Sequence, residues 1–120
     1  MNQFICVPIT ETNPEAFLAA TREAAQAADV VELRLDYLSE ESCAAVIERL
    51  PTLAAEVPGI NLLLTFRPRE QGGQRDLSLQ DRQTFWRSLP PEVTGAIRFA
   101  DFEFDQLESF SQHSTVPWEK

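Results

Sequence analysis

Four short runs rich in β-branched and aromatic residues, at residues 4–9, 30–37, 60–66 and 96–104, alternate with segments that carry helix signals. This alternation limits the fold more than any other feature of the chain. Strand, helix and strand in succession predict an α/β protein of parallel βα repeats with right-handed crossovers. The runs begin roughly 26 to 36 residues apart, close to the ~31 expected when ~250 residues make eight βα units. The 120 residues suit one domain of four such units, about half of a barrel. A small doubly wound sheet is the alternative, because strand order is not legible in the pattern.

The helix signals are specific. Asn13, Pro14 and Glu15 read as an N-cap, a first-turn proline and an acid favoured by the helix dipole. The alanine-rich stretch to Ala28 follows, with Phe17, Leu18 and Ala24 able to cover one face. Cys43, Val46, Ile47 and Leu50 form a helical stripe from about Ser42, which Pro51 is expected to end or kink. Ser78 and Asp81 resemble a capping arrangement ahead of Phe85, Trp86 and Leu89, and Pro90-Pro91 should stop that helix. A short fourth helix is expected after Asp105, through Leu107 and Phe110.

Composition excludes several functions. A net charge of −9 repels nucleic-acid phosphates and anionic membrane surfaces, so neither is an expected partner. No apolar run approaches the ~20 residues of a membrane span, and Met1-Asn2-Gln3-Phe4 does not open like a secretory signal. Cys6 and Cys43 lack metal-ligand spacing and imply neither a zinc site nor a disulfide scaffold. A reduced, cytoplasmic protein is expected. Lys120 is the only lysine and His113 the only histidine.

Strand side chains alternate between faces. In the second run Glu32, Arg34 and Asp36 therefore share one side, and Val31, Leu33 and Leu35 the other. In the third, Thr65 and Arg67 fall together; in the fourth, Asp101, Glu103 and Asp105 do. Parallel strands are usually apolar on both faces, so a charged face needs a reason. Either an antiparallel sheet turns it to water, or it lines a barrel mouth, where strand C-termini carry the active site. Helix signals between every pair of strands favour the barrel mouth. Two arginines cannot neutralise five carboxylates there, which suits orienting a polyhydroxylated substrate, raising a carboxylate pKa or holding a missing cation.

Glu32-Leu33-Arg34-Leu35-Asp36, then Thr65-Phe66-Arg67 with Gly72-Gly73, then Asp101-Phe102-Glu103 resemble type I 3-dehydroquinate dehydratase over essentially the whole chain. Ile5-Cys6-Val7-Pro8 is similar to the first strand of that family. The resemblance implies the N-terminal half of a TIM (β/α)8 barrel, with residues 1–120 as a single partial domain. It also implies conversion of 3-dehydroquinate to 3-dehydroshikimate and water, in the shikimate pathway of aromatic amino acid and chorismate biosynthesis. In the family a lysine forms a Schiff base with the substrate ketone, and a histidine moves protons. No cofactor or metal takes part.

By position, Glu32, Arg34 and Arg67 resemble residues that bind the substrate, while Asp36, Asp101 and Glu103 resemble residues that line or brace the site. An internal ion pair between Glu32 and Arg34 is the purely structural alternative. Gln71 stands where the family usually has glutamate, and Glu70 precedes it; either the lost charge tunes the histidine differently or Glu70 moves in to replace it. The resemblance puts the lysine and histidine on the fifth and sixth strands. Lys120 falls too early to match, and His113 is expected in an exposed loop. The chain alone is therefore expected to be inactive, and its open strand edges invite self-association. Gly72-Gly73 reads as a mobile turn over the site, Arg69 and Arg75 as solvated loop residues, and Trp86 and Trp118 as packing residues. The competing function is a non-catalytic acidic module of α/β fold that binds a basic partner.

Overall fold

The structure, a computed structural model, describes residues 4–102. Four parallel strands, β1 (Cys6–Ile9), β2 (Val30–Arg34), β3 (Leu62–Thr65) and β4 (Phe99–Asp101), lie in the order β1-β2-β3-β4. A doubly wound sheet reverses direction at a switch point, whereas here every crossover advances one strand the same way. Right-handed crossovers of that kind leave the helices on one face and the other face open. Register fixes which residues share each level: Arg34 pairs with Thr65, and Thr65 with Asp101.

The helices are α1 (Pro14–Ala24), α2 (Glu40–Glu56), α3 (Leu79–Ser88) and α4 (Pro91–Thr94). The Asn13 side chain accepts from the backbone N–H groups of Glu15 and Ala16, capping α1 as predicted. Phe17 and Leu18 face the sheet, joined by Thr21, whose hydroxyl donates to the Phe17 carbonyl at 2.8 Å. Ser78 and Asp81 form the expected reciprocal capping box on α3. Hydrogen bonding with Ser78, through its backbone first and its side chain second, holds the Asp81 carboxyl below the usual carboxylate range.

One proline expectation needs correction, and a second holds with an addition. Pro51 does not end α2, which Ser39 caps and which continues to Glu56. Proline deletes one hydrogen bond, but the stripe of Cys43, Val46 and Leu50 extends to a fully buried Leu53, and that burial carries the helix through. Pro90-Pro91 does terminate α3, yet Pro91 also begins α4, where a first-turn proline has no donor to lose. The turn buries Val93.

The strands are also shorter than predicted. β2 stops at Arg34, and Leu35–Tyr37 wind into a 3-10 turn closed by the Leu38 N–H on the Leu35 carbonyl. Its ladder with β3 ends at the Arg34–Thr65 level, so nothing holds the next residues extended. The predicted helix after Asp105 lies outside the described residues, as do Glu103, Asp105, His113, Trp118 and Lys120. No helix among the described residues is long and apolar enough to cross a membrane.

The core lies between sheet and helices. Ile9, Val31, Leu33, Leu62 and Leu64 meet Phe17, Leu18, Val46, Leu50 and Leu53 there. Phe66 stacks on Phe85 at 4.0 Å between centroids, and the edge-on contacts of Phe85 with Trp86 and of Trp86 with Phe102 continue the row. Trp86 is a packing residue, as expected.

Candidate functional site

The open face carries the charges, at the C-terminal ends of β2, β3 and β4. Glu32 and Arg34 project from β2, and Arg67 follows two residues after β3 with the same phase as Thr65. Asp101 closes β4. Glu32, Arg34, Asp36, Arg67 and Asp101 are thus brought to one side of the sheet. Gln71 lies further out, exposed in a 3-10 turn over Arg69–Gln71.

The pairings differ from the simplest expectation. Arg34 does not pair with Glu32. Its Nε and Nη2 donate to the two oxygens of Asp36 at 3.1 and 2.9 Å, and its guanidinium lies 5.0 Å from the Tyr37 ring centroid. Burial works against the charged guanidinium, but the Asp36 hydrogen bonds and charge, with Glu32 behind, raise its pKa above the ordinary arginine value. Glu32 Oε2 instead accepts from the Thr65 hydroxyl at 2.6 Å. Arg67 Nη2 donates to Asp101 at 2.9 Å in a pair about one-third exposed; a pair so open adds at most about 1 kcal/mol.

Asp36 was placed on the strand with Glu32 and Arg34, and that placement is corrected: it sits in the 3-10 turn beyond the strand end. The turn sinks the carboxylate into the protein while keeping it on Arg34, so the two-residue spacing acts through a bidentate bond. Its Oδ2 also accepts from the Gln74 backbone N–H at 3.1 Å.

Gln74 belongs to the loop that joins β3 to α3. Gly72 takes φ +91°, a left-handed conformation suited to glycine. A Cβ on Gly73 would lie 1.9 Å from the Arg67 carbonyl oxygen, so that approach also requires glycine. The pair forms the predicted turn. Arg69 is solvated and pairs with Asp76, whereas Arg75 is not simply solvated and lies over the Phe66 ring. Sequence reasoning missed Thr65 as the partner of Glu32 and Gln74 as a partner of Asp36. The shared phase of Thr65 and Arg67 was the available signal for the first; a backbone N–H leaves none.

The opposite face carries none of the predicted site residues described by the structure. A cleft of about 910 Å³ opens there between α2 and α3, lined in part by Ile47, Phe66, Leu77, Phe85 and Leu89, and none of the site residues borders it. Cys43 lies in its wall; burial pushes that thiol up to about 11, with Arg75 opposing, so it stays protonated at neutral pH. Cys6 is exposed on β1, its pKa raised by partial burial and then by the Glu32 charge.

Sequential parallel strands, helices on one face and ionic groups at the strand ends of the other define a protein of βα-barrel architecture, with those groups at the C-terminal ends of its strands. The family model for type I 3-dehydroquinase matches residues 5–116, and the chain belongs to that family. It is 33% identical over 87 residues to a 3-dehydroquinate dehydratase of Aquifex aeolicus, covering 72% of this chain and 36% of that protein. It is 31% identical over 123 residues to the 3-dehydroquinate dehydratase of Clostridioides difficile, covering 93% of this chain and 47% of that protein. The crystal structure of a type I 3-dehydroquinate dehydratase from Clostridium difficile with covalently modified comenic acid superposes at TM-score 0.72. It has 28% identity, over 86% of this chain and 41% of that one. The chain thus has the fold of the N-terminal half of the barrel, and spans less than half the length of these relatives.

Proposed function

We propose that this chain supplies the first four strands of a 3-dehydroquinate dehydratase, a hydro-lyase, and with them part of its substrate site. Glu32 and Arg34 bind hydroxyl groups of 3-dehydroquinate, and Arg67 is a further substrate contact. Asp36, Gln71, Asp101 and Glu103 line or brace that site. The observation that carries this reading is the meeting of Arg34, Thr65 and Asp101 at one level of the open face, with Glu32 bonded to Thr65 and Arg67 to Asp101. Membership of an enzyme family favours it over the acidic binding module.

In the whole enzyme, a lysine amine condenses with the substrate ketone to give a Schiff base. The protonated imine draws electrons from the adjacent C–H bond, the proton leaves, water is expelled, and hydrolysis returns the lysine and 3-dehydroshikimate. The lysine and the proton-transferring histidine belong to later barrel strands, matched by neither Lys120 nor His113. The 120 residues alone are inactive, and the enzyme acts in the cytoplasm without metal or organic cofactor. The outer edges of β1 and β4 are where the chain would associate with itself.

The chain is titrated with 3-dehydroquinate and, separately, treated with borohydride in its presence. We expect binding that Arg34→Ala and Arg67→Ala each weaken about tenfold, the worth of one charged hydrogen bond, and no covalent adduct. Binding indifferent to both substitutions would sink the substrate site, and an adduct on this chain would overturn the assignment of the lysine elsewhere.

A further inference from the structure

Asp36 is an unusual carboxylate for a loop that follows a strand. Its side chain is 0% exposed, so its lone pairs depend on protein donors. Three N–H groups serve it: Arg34 Nε on Oδ1, and both Arg34 Nη2 and the Gln74 backbone on Oδ2. One partner stands two residues away in sequence; the other is 38 away. A single oxygen therefore joins an arginine of the open face to the loop after β3.

That loop is tied together from within. The N–H groups of Gln71 and Gly73 donate to the Pro68 carbonyl at 3.0 and 2.9 Å, and that of Arg69 donates to the Arg75 carbonyl at 2.8 Å. The Arg69 side chain reaches Asp76 and the Gln74 carbonyl. Held as one body, the loop registers on β2 through the Gln74–Asp36 bond. On the other side, Asp36 meets Arg34 side-on. Guanidinium has five N–H donors, so this pairing leaves the end-on edge of Arg34 unengaged by Asp36, while Tyr37 covers its plane.

We propose that Asp36 is a positioning residue that couples Arg34 to the loop at residues 68–77, so that presentation of the guanidinium and docking of the loop rise and fall together. The inference rests on Arg34 being a substrate-binding residue, and it adds a regulated element to that site. Coupling of this kind is reciprocal: a change at the arginine is felt in the loop, and a change in the loop at the arginine.

The test perturbs each end and reads the other, in the ¹⁵N-labelled chain without ligand. Arg34→Lys keeps the charge but loses the side-on fork. We expect it to speed hydrogen exchange of the Gln74 amide at least tenfold, with the Leu64 amide in β3 unchanged within twofold. Gly73→Ala drives a Cβ into the Arg67 carbonyl and dislodges the loop; we expect the Arg34 Nε–H signal to shift and its exchange to quicken. Equal acceleration at Leu64 would mean general loosening and overturn the proposal. So would a Gln74 amide that exchanges freely in the unaltered chain, or one that ignores Arg34→Lys. Adding 3-dehydroquinate afterwards separates the two ideas: no change in any signal would defeat the substrate reading, while the ligand-free exchange rates decide the coupling.

Discussion

On the helix side of the sheet, Val31, Leu33, Leu62 and Leu64 are at most 1% exposed and belong to one apolar core. One residue along the same strands, Glu32, Arg34 and Asp101 are part-exposed and held by individually directed bonds, while buried Thr65 donates to Glu32. The first side is stabilised by area, roughly 25 cal/mol for each Å² of apolar surface removed from water. The second depends on donors meeting acceptors, and each bond nets only about 1 kcal/mol. A sheet can therefore draw most of its stability from one face and leave the other free for chemistry. The price is that the polar face tolerates little change in geometry.

Substitutions that strike one face at a time test this contrast. Leu64→Ala should have the largest effect, lowering unfolding free energy by about 2–5 kcal/mol through lost burial and a residual cavity. Chemical denaturation checks it, and a loss below about 1 kcal/mol would mean the helix side is not the main source of stability. Thr65→Val, close in shape, removes the donor to Glu32 Oε2; the expected cost is about 1–2 kcal/mol. A larger loss than at Leu64 would invert the contrast.

The smallest effect belongs to neither face. Asp81 has its pKa lowered by the α3 cap, so its contribution is present above the unfolded carboxylate value, near 3.9, and fades as pH falls through the lower folded value. Melting temperature followed downward from about pH 5 should fall slightly less in Asp81→Asn than in the unaltered chain. Identical profiles would remove the cap from the account of acid stability.

Local signals were legible where one residue type does one job. Asn13 and the Ser78–Asp81 pair announced their caps because capping needs only a short polar side chain within three residues. The two faces of β2 were legible because alternation is built into an extended backbone. Pro51 misled because its penalty is local while the burial of Leu53, which outweighs it, depends on the sheet beneath. Asp36 misled for a related reason: the strand pattern continued in sequence past the point where β3 ceased to pair with it. Even so, the grouping of Glu32, Arg34 and Arg67 on one side was correct, since phase survives a strand that ends early. The resemblance to the 3-dehydroquinase family rested on those same triplets, and the family match agrees with it.

From its amino acids alone, this protein was committed to alternating strands and helices, to an apolar and a charged side, and to several helix starts. Those properties depend on residues within a turn or two of each other. Which carboxylate holds Arg34, which hydroxyl holds Glu32, and where the loop beyond β3 comes to rest were decided only when distant segments met. Hydrogen bonds act over about 3 Å, and no spacing along a chain states which groups will arrive within that distance.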